Sequence, residues 1–412
     1  VEFEKACYEP EEFIMTSRTD NSLTLSFVHY GAISYDVNYG PKGFDNATGG
    51  TKLNVTDTVF TINSLSPNTE YDVYVRANCT SKDVSDWVFM GTYATYATPL
   101  TDFSSTIDFE KVTENASWCF AQADQTNQWY IGTDAAKVVA DGKSGSTSGS
   151  SLGSMKPTSD NGLYITFDEG TTANYDATKA SKSWAYRTIN LVPGIYTISY
   201  DWTCYGETTK DYFRACLAPV NSLFKSGSAN VTDFNGIATG TISTQLSQQP
   251  ADWFDLSRKV GTTEAYNNSV DTTKVLAEQW QKQENEVVIT PELAGVYNLV
   301  FYWENDDATA TQQYSVRGAV VDNIAIKQKS CCQPYQLSAK SIAYDKGYAS
   351  WKPIVEQSAE YVVLVTKEEV TDPANVTQEQ IAFVDTVNTT SADITGLDVF
   401  YDLGYLELKG ND

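Results

Sequence analysis

The chain holds one histidine, His29, beside seven cysteines, 53 acidic and 28 basic residues. A Ser–His or Cys–His nucleophile needs an imidazole held against it. His29 lies in "SFVHYG", at the end of a predicted strand, with no Ser or Cys in a nucleophile-elbow context. It reads as a structural histidine, and without a second one no such site can be assembled. The count of acidic residues leaves room for a carboxylate pair of the glycosidase kind, which small accessory folds rarely carry. The chain is therefore expected not to be an enzyme. Its cysteines stand at 7, 79, 119, 204, 216, 331 and 332. No CxxC is followed by a second, which argues against a zinc site. The spread suits disulfides in an oxidising compartment, with one thiol left over. Cys204 and Cys216, on consecutive predicted strands joined by "YGETTK", are candidates to pair. Cys119 is a candidate for either of them, or for Cys331 or Cys332.

The formal net charge is −25. Such a chain repels nucleic acid and anionic lipid, keeps itself dispersed, and attracts cations. Among these, Ca²⁺ favours carboxylate and carbonyl oxygens. Apolar residues make up 41% of the 412, enough for sizeable cores and more than one domain, and no run of 18 is apolar enough to span a membrane. With 26 tyrosines, abundant Thr, Ser and Asn, and few helical windows, the composition predicts an all-β protein of many short strands. No leader peptide opens the sequence, so a mature or partial chain is expected.

These residues must be positioned by strands. Residues 1–99 alternate throughout: "SLTLSF", "SYDVNYG", "DTVFTINSL" and "EYDVYVRANC", separated by "RTDN", "GPKG" and "DNATGG". In "LSPNTEYDVYV", Leu65, Pro67, Thr69 and Tyr71 have the spacing of a tyrosine corner, where the phenol bonds back to the backbone between sheets. On these residues the segment resembles a fibronectin type III domain, with Phe27 where the family usually has a core Trp. "CYEP", "YGPKGF" and "VRANC…SDW" narrow the resemblance to type III modules of secreted Bacteroidota surface proteins. That resemblance implies a disulfide between Cys7 and Cys79.

Residues 100–329 run from "STIDFEK" to "GAVVDNIAIK" and contain "GLYITFD", "SWAYRTINL", "GIYTISYDWTCYG", "DYFRACLAP" and "GVYNLVFYWEND". "DGKSGSTSGSSLGS" (141–154) reads as a loop, and the stretch 273–289 fits a helix or a strand. The ordered elements, closing in "VDNI", resemble the jelly-roll domains of bacterial adhesins, of MAM-like or cleaved-adhesin type. In such a fold the first and last strands are neighbours, so Asp108, Glu110 and Asp322 are candidate ligands of a structural Ca²⁺, which the resemblance also implies. Asp168 and Asp201 are weaker candidates. The competing reading has Asp108 and Asp322 capping turns through local N–H groups. Trp129, Trp184, Trp202 and Trp303 lie in strand patterns and read as core. Trp253 and Trp280, in an irregular region, are the candidate exposed aromatics for stacking on a sugar.

Residues 330–412 begin "CCQPYQLSAKS…YASW", repeating the Cys-to-Pro spacing of Cys7 and Pro10, with Trp351 at the position of Phe27. They read as a second type III module. The final "GYLELKGND" aligns Tyr405 with Tyr71, which predicts an incomplete module, a further strand after Asp412, and there a partner for Cys331 or Cys332. Sequons such as Asn46-Ala47-Thr48 and Asn54-Val55-Thr56 recur by chance in so polar a chain. Asp57-Thr58-Val59 and Asp385-Thr386-Val387 resemble an O-glycosylation motif of Bacteroidota proteins. The whole reads as an extracellular, cell-surface adhesin or a structural stalk or fibre component: two fibronectin type III sandwiches flanking a larger jelly roll. The expected partner is a host or cell-surface glycan or protein, or further copies in a fibre, with no nucleic acid and no membrane insertion. The alternative is an accessory, substrate- or carbohydrate-binding region of a larger secreted peptidase or glycoside hydrolase.

Overall fold

A computed structural model describes residues 7–133, 160–204, 211–242, 253–257, 259–260, 265–266, 281–307, 316–330, 334–343, 345–355, 360–368, 370, 375–397 and 406–410. The chain is nearly all β. The expectations for 141–154, 273–280, Trp280, Cys331, Cys332 and Tyr405 fall outside the described residues.

The N-terminal sandwich contains β1 (Glu11–Arg18), β2 (Leu23–Val28), β3 (Ser34–Pro41), β4 (Thr51–Val55), β5 (Val59–Ile62), β6 (Glu70–Asn78) and β7 (Val88–Ala94). They form a β1-β2-β5 sheet and a β4-β3-β6-β7 sheet. Alternation dictates the faces. Leu23, Leu25 and Phe27 of β2, and Tyr71, Val73 and Val75 of β6, point into one buried core. Phe27 fills the position expected for a tryptophan, and its ring meets Tyr35 edge-on at 4.7 Å. The tyrosine corner forms as the spacing predicts, with Ser66 N–H donating to the Tyr71 hydroxyl at 2.8 Å.

The central sandwich is larger. A single helical turn, α1 (Val112–Asn115), precedes β8 (Trp118–Ala121), β9 (Gln128–Gly132), β10 (Gly162–Thr166), β11 (Asn174–Tyr175), β12 (Ser181–Leu191), β13 (Gly194–Thr203) and β14 (Tyr212–Pro219). Then come β15 (Ser222–Phe224), β16 (Asn230–Asp233), β17 (Ala238–Thr241), β18 (Phe254–Asp255), β19 (Lys259–Val260) and β20 (Ala265–Tyr266). The last four are β21 (Gln281–Ile289), β22 (Gly295–Asn305), β23 (Val316–Arg317) and β24 (Val320–Gln328). Two five-stranded sheets result, β21-β13-β24-β10-β9 and β18-β14-β22-β12-β8, with β12, β13 and β14 alternating between them. Trp129, Trp202 and Trp303 lie in the core between the sheets. The three-stranded sheet β15-β16-β17 adds a further layer. Its Val231 and Phe224 pack with Trp184, Val300 and Tyr302 on the far side of the second sheet.

The C-terminal strands are β25 (Tyr335–Ala343), β26 (Lys346–Lys352), β27 (Tyr361–Thr366), β28 (Ile381–Val387), β29 (Ser391–Thr395) and β30 (Leu406–Gly410). Their sheets, β25-β26-β29 and β28-β27-β30, repeat the pairing order of β1-β2-β5 and of β4-β3-β6. Trp351 is buried there against Tyr361.

The N-terminal and central sandwiches meet in a polar seam. The Arg18 guanidinium donates to Ala94 O on its own side and to Val220 O across the seam, at 3.2 and 2.9 Å. Arg187 of β12 donates to Thr98 O at 2.8 Å. The Cys119 thiol donates to Asn68 Oδ1 at 3.3 Å. Leu100 joins the central sheet in parallel beside Ile189, exchanging two backbone hydrogen bonds of 2.9 Å with Thr188 and Asn190.

Candidate binding surface

The lone histidine leads to the surface best built for contact. His29 follows β2, and its Nε2–H donates to Tyr8 O at 2.9 Å while the Tyr35 hydroxyl lies 3.3 Å from Nδ1. That pins the strap entering the first strand onto the β2–β3 loop. Burial raises the Tyr35 phenol above its ordinary value, so it stays a donor. Cys7 and Cys79 are bonded, which ties the same strap to the β6–β7 loop. Ile33 N–H donates to Asn78 O, and Asn78 bridges to Val84. Gly31 sits at φ +90°, a turn conformation that a side chain resists. Strap and both loops are thus fixed to one another at one end of the sandwich.

This end exposes apolar groups. Tyr8 is 68% exposed, Tyr30 83%, Ile33 63% and Val84 45%. Isolated exposed hydrophobics are ordinary, but four carried on segments braced to one another at one end make that end the candidate contact surface. The same segments carry exposed Glu9, Glu11, Glu12, Asp83 and Asp86, with Lys82 the one base among them. None of the four apolar residues stood out in the sequence. The only signal was a Tyr beside the single His in a Gly-bearing turn.

The candidate calcium ligands are placed as follows. Ile107 and Ile324 exchange backbone hydrogen bonds of 2.8 and 2.9 Å, so the segments holding Asp108 and Asp322 do adjoin. Asp108 Oδ1 accepts Glu110 N–H at 3.2 Å, and Asp322 Oδ1 accepts Asn323 N–H at 2.7 Å. Glu110 Oε1 accepts the N–H groups of Asp160 and Asn161, and Oε2 the Asn161 side chain. Those bonds, led by the Asn161 N–H, hold Glu110 below the usual carboxylate range. Both lone pairs of Glu110 Oε1 are engaged, so as placed it fits a cation poorly. Asp201 stands opposite Asp322 across β13–β24, accepts from Asn323 Nδ2, and is raised by burial. Asp168 is engaged by Thr166 and Thr172. Among the described residues no three or more His, Cys, Asp or Glu side chains gather at one point.

Two expectations need correction. Trp253 is not an exposed platform: it is 6% exposed and packs beside Phe224 under the extra three-stranded layer. Strand alternation shows which residues leave a sheet, but not that a third layer covers its outer face. Cys204 and Cys216 do not pair; with Cys119 they are buried free thiols. The strands they belong to are consecutive but lie in opposite sheets. Cys204 faces the core between the sheets, and Cys216 faces the outer cluster. Burial raises the Cys119 thiol to about 11.

Residues 8–89, which carry the whole exposed end, match the family described as Fibronectin type III domain. A domain of that family is therefore present here. Such domains are non-catalytic binding modules typical of extracellular proteins. No curated protein matches the chain. Among solved structures the chain is similar to the fn3 domain of human collagen alpha-1(XX) chain, at 16% identity over 24% of this chain and 95% of that one, TM-score 0.21. It is also similar to a β-sandwich protein from a computer-based redesign, at 22% identity over 21% of this chain and 93% of that one, TM-score 0.19.

Proposed function

We propose that the chain is an extracellular, cell-surface adhesin or stalk component of the kind found in Bacteroidota, acting by non-covalent binding. Its modules would be a fibronectin type III domain (1–99), an adhesin-type jelly roll (100–329) and a second type III domain (330–412). The observation that carries the proposal is the braced apolar end formed by Tyr8, Tyr30, Ile33 and Val84. Apolar groups held in place before contact lose little entropy on binding. The test is adhesion of the labelled full chain to cell layers and matrix-coated surfaces. Alanine at both Tyr30 and Ile33 should weaken it about tenfold or more. Unchanged adhesion, with the fold intact by circular dichroism, would overturn the proposal.

A calcium clamp joining Asp108 and Asp322 is a separate proposal, supported by the adjoining Ile107 and Ile324 segments. Chelation should then lower the melting temperature, and a melting curve indifferent to EDTA would remove it.

A further inference from the structure

We infer that the partner met by this end of the N-terminal sandwich is a protein segment presenting lysine or arginine side chains. This rests on the reading of the end as a contact surface and adds the chemistry of what it contacts.

The first observation is aromatic. Tyr8 and Tyr30 are mostly exposed, and a phenol ring face attracts ammonium and guanidinium groups. The second is the rim. Glu11 stands opposite Val28 in the β1–β2 register, one residue before His29. Glu12 follows in a register irregularity at φ +56°. Glu9 adjoins Tyr8, and the Asp83 carbonyl accepts the N–H groups of Cys79 and Thr80 in the β6–β7 loop. Carboxylates so placed can accept paired hydrogen bonds from a guanidinium. Ile33 and Val84 offer apolar surface to the aliphatic stems of those cationic side chains. The third is the charge of the whole chain. At −25, a second copy would bring like charge to an already acidic rim. Like-charge contact opposes association, and it equally opposes nucleic acid or anionic lipid as the occupant.

The experiment uses the full oxidised chain and an immobilised amidated peptide of alternating glycine with arginine or lysine. A second peptide carries citrulline and acetyl-lysine at the same positions. Binding is read by interferometry for wild type, for Tyr8→Ala with Tyr30→Ala, for Glu11→Gln with Glu12→Gln, and for a distant control. The control, Asp345→Asn with Asp393→Asn, removes the same charge from the C-terminal sandwich. Melting curves show that each variant is folded. The tyrosine pair is expected to weaken binding about tenfold and the glutamine pair severalfold, with the control unchanged and the neutral peptide unbound. If the control loses as much as the glutamine pair, the peptide is sensing only net charge and the inference is overturned. If the neutral peptide binds as well and loses binding with the tyrosine pair, the cationic partner is overturned while the contact surface stands. If neither peptide responds to the tyrosine pair, the inference is overturned, and the adhesion assay decides separately whether the surface itself stands.

Discussion

Asp36 shows how a partly buried carboxylate is kept charged in this fold. Partial burial pushes its carboxyl upward. Hydrogen bonds from Asn54, Arg76 and Asn78 outweigh that and hold it below its ordinary value. Arg76 supplies two of them, Nε–H at 3.0 Å and Nη2–H at 2.8 Å to one oxygen, and its guanidinium also lies 4.8 Å over the Trp87 ring. The residue therefore couples β3, β4 and β6. Because the folded value is depressed, the stabilisation is complete above the unfolded carboxylate value near about 3.9. It is lost as pH falls through the folded value. Asp36→Asn should cost about 1 kcal/mol at pH 7. Denaturant melts at stepped pH should show that difference vanish in acid. A cost that persists in acid would mean that lost side-chain geometry, not charge, is responsible.

At the scale of elements, the layers explain what the sequence made legible. The tyrosine corner was readable because it needs only a local spacing, and Phe27, Trp129, Trp202 and Trp303 because alternation assigns an inner face; Trp184 is buried as expected, but on the outer face, under the added layer. Trp253 was misread because burial there depends on β15-β16-β17, whose coverage of a sheet face has no local signature. Trp253→Ala should open that cluster and cost about 3–5 kcal/mol; a melting temperature shifted by under two degrees would count against the layered packing. The thiols were misread for a different reason: consecutive strands cross to opposite sheets. The loop end was invisible because residues 8, 30, 33 and 84 converge only through the disulfide and His29. The Cys7–Cys79 bond closes a separation of 72 residues, so reduction should cost about 4 kcal/mol. Denaturant melts with and without reductant, in a background with Cys331→Ser and Cys332→Ser, would test whether that bond carries the loss.

At the scale of the whole molecule, the two junctions differ. The first is the seam of Arg18, Arg187, Asn68, Cys119 and Leu100, and burial draws both guanidinium values down. At the second, among the described residues, exposed Glu292 accepts from the Tyr335 hydroxyl at 3.2 Å and lies 3.8 Å from Lys352 Nζ. Exposed ion pairs contribute little and weaken in salt. Arg18→Ala with Arg187→Ala should therefore raise the radius of gyration in solution scattering and expose residues 98–100 to protease. Glu292→Gln should alter scattering only at low ionic strength. No response of the protease sites to the arginine pair would mean that the seam does not hold the modules together.

Leu100 gives this arrangement a mechanical sense. The strand that leaves the first sandwich is already hydrogen-bonded alongside Ile189 before the central fold begins. Tension pulled through the chain at that point would meet paired backbone bonds rather than slack. A tug on the first module would in this way pass directly into the largest core of the chain.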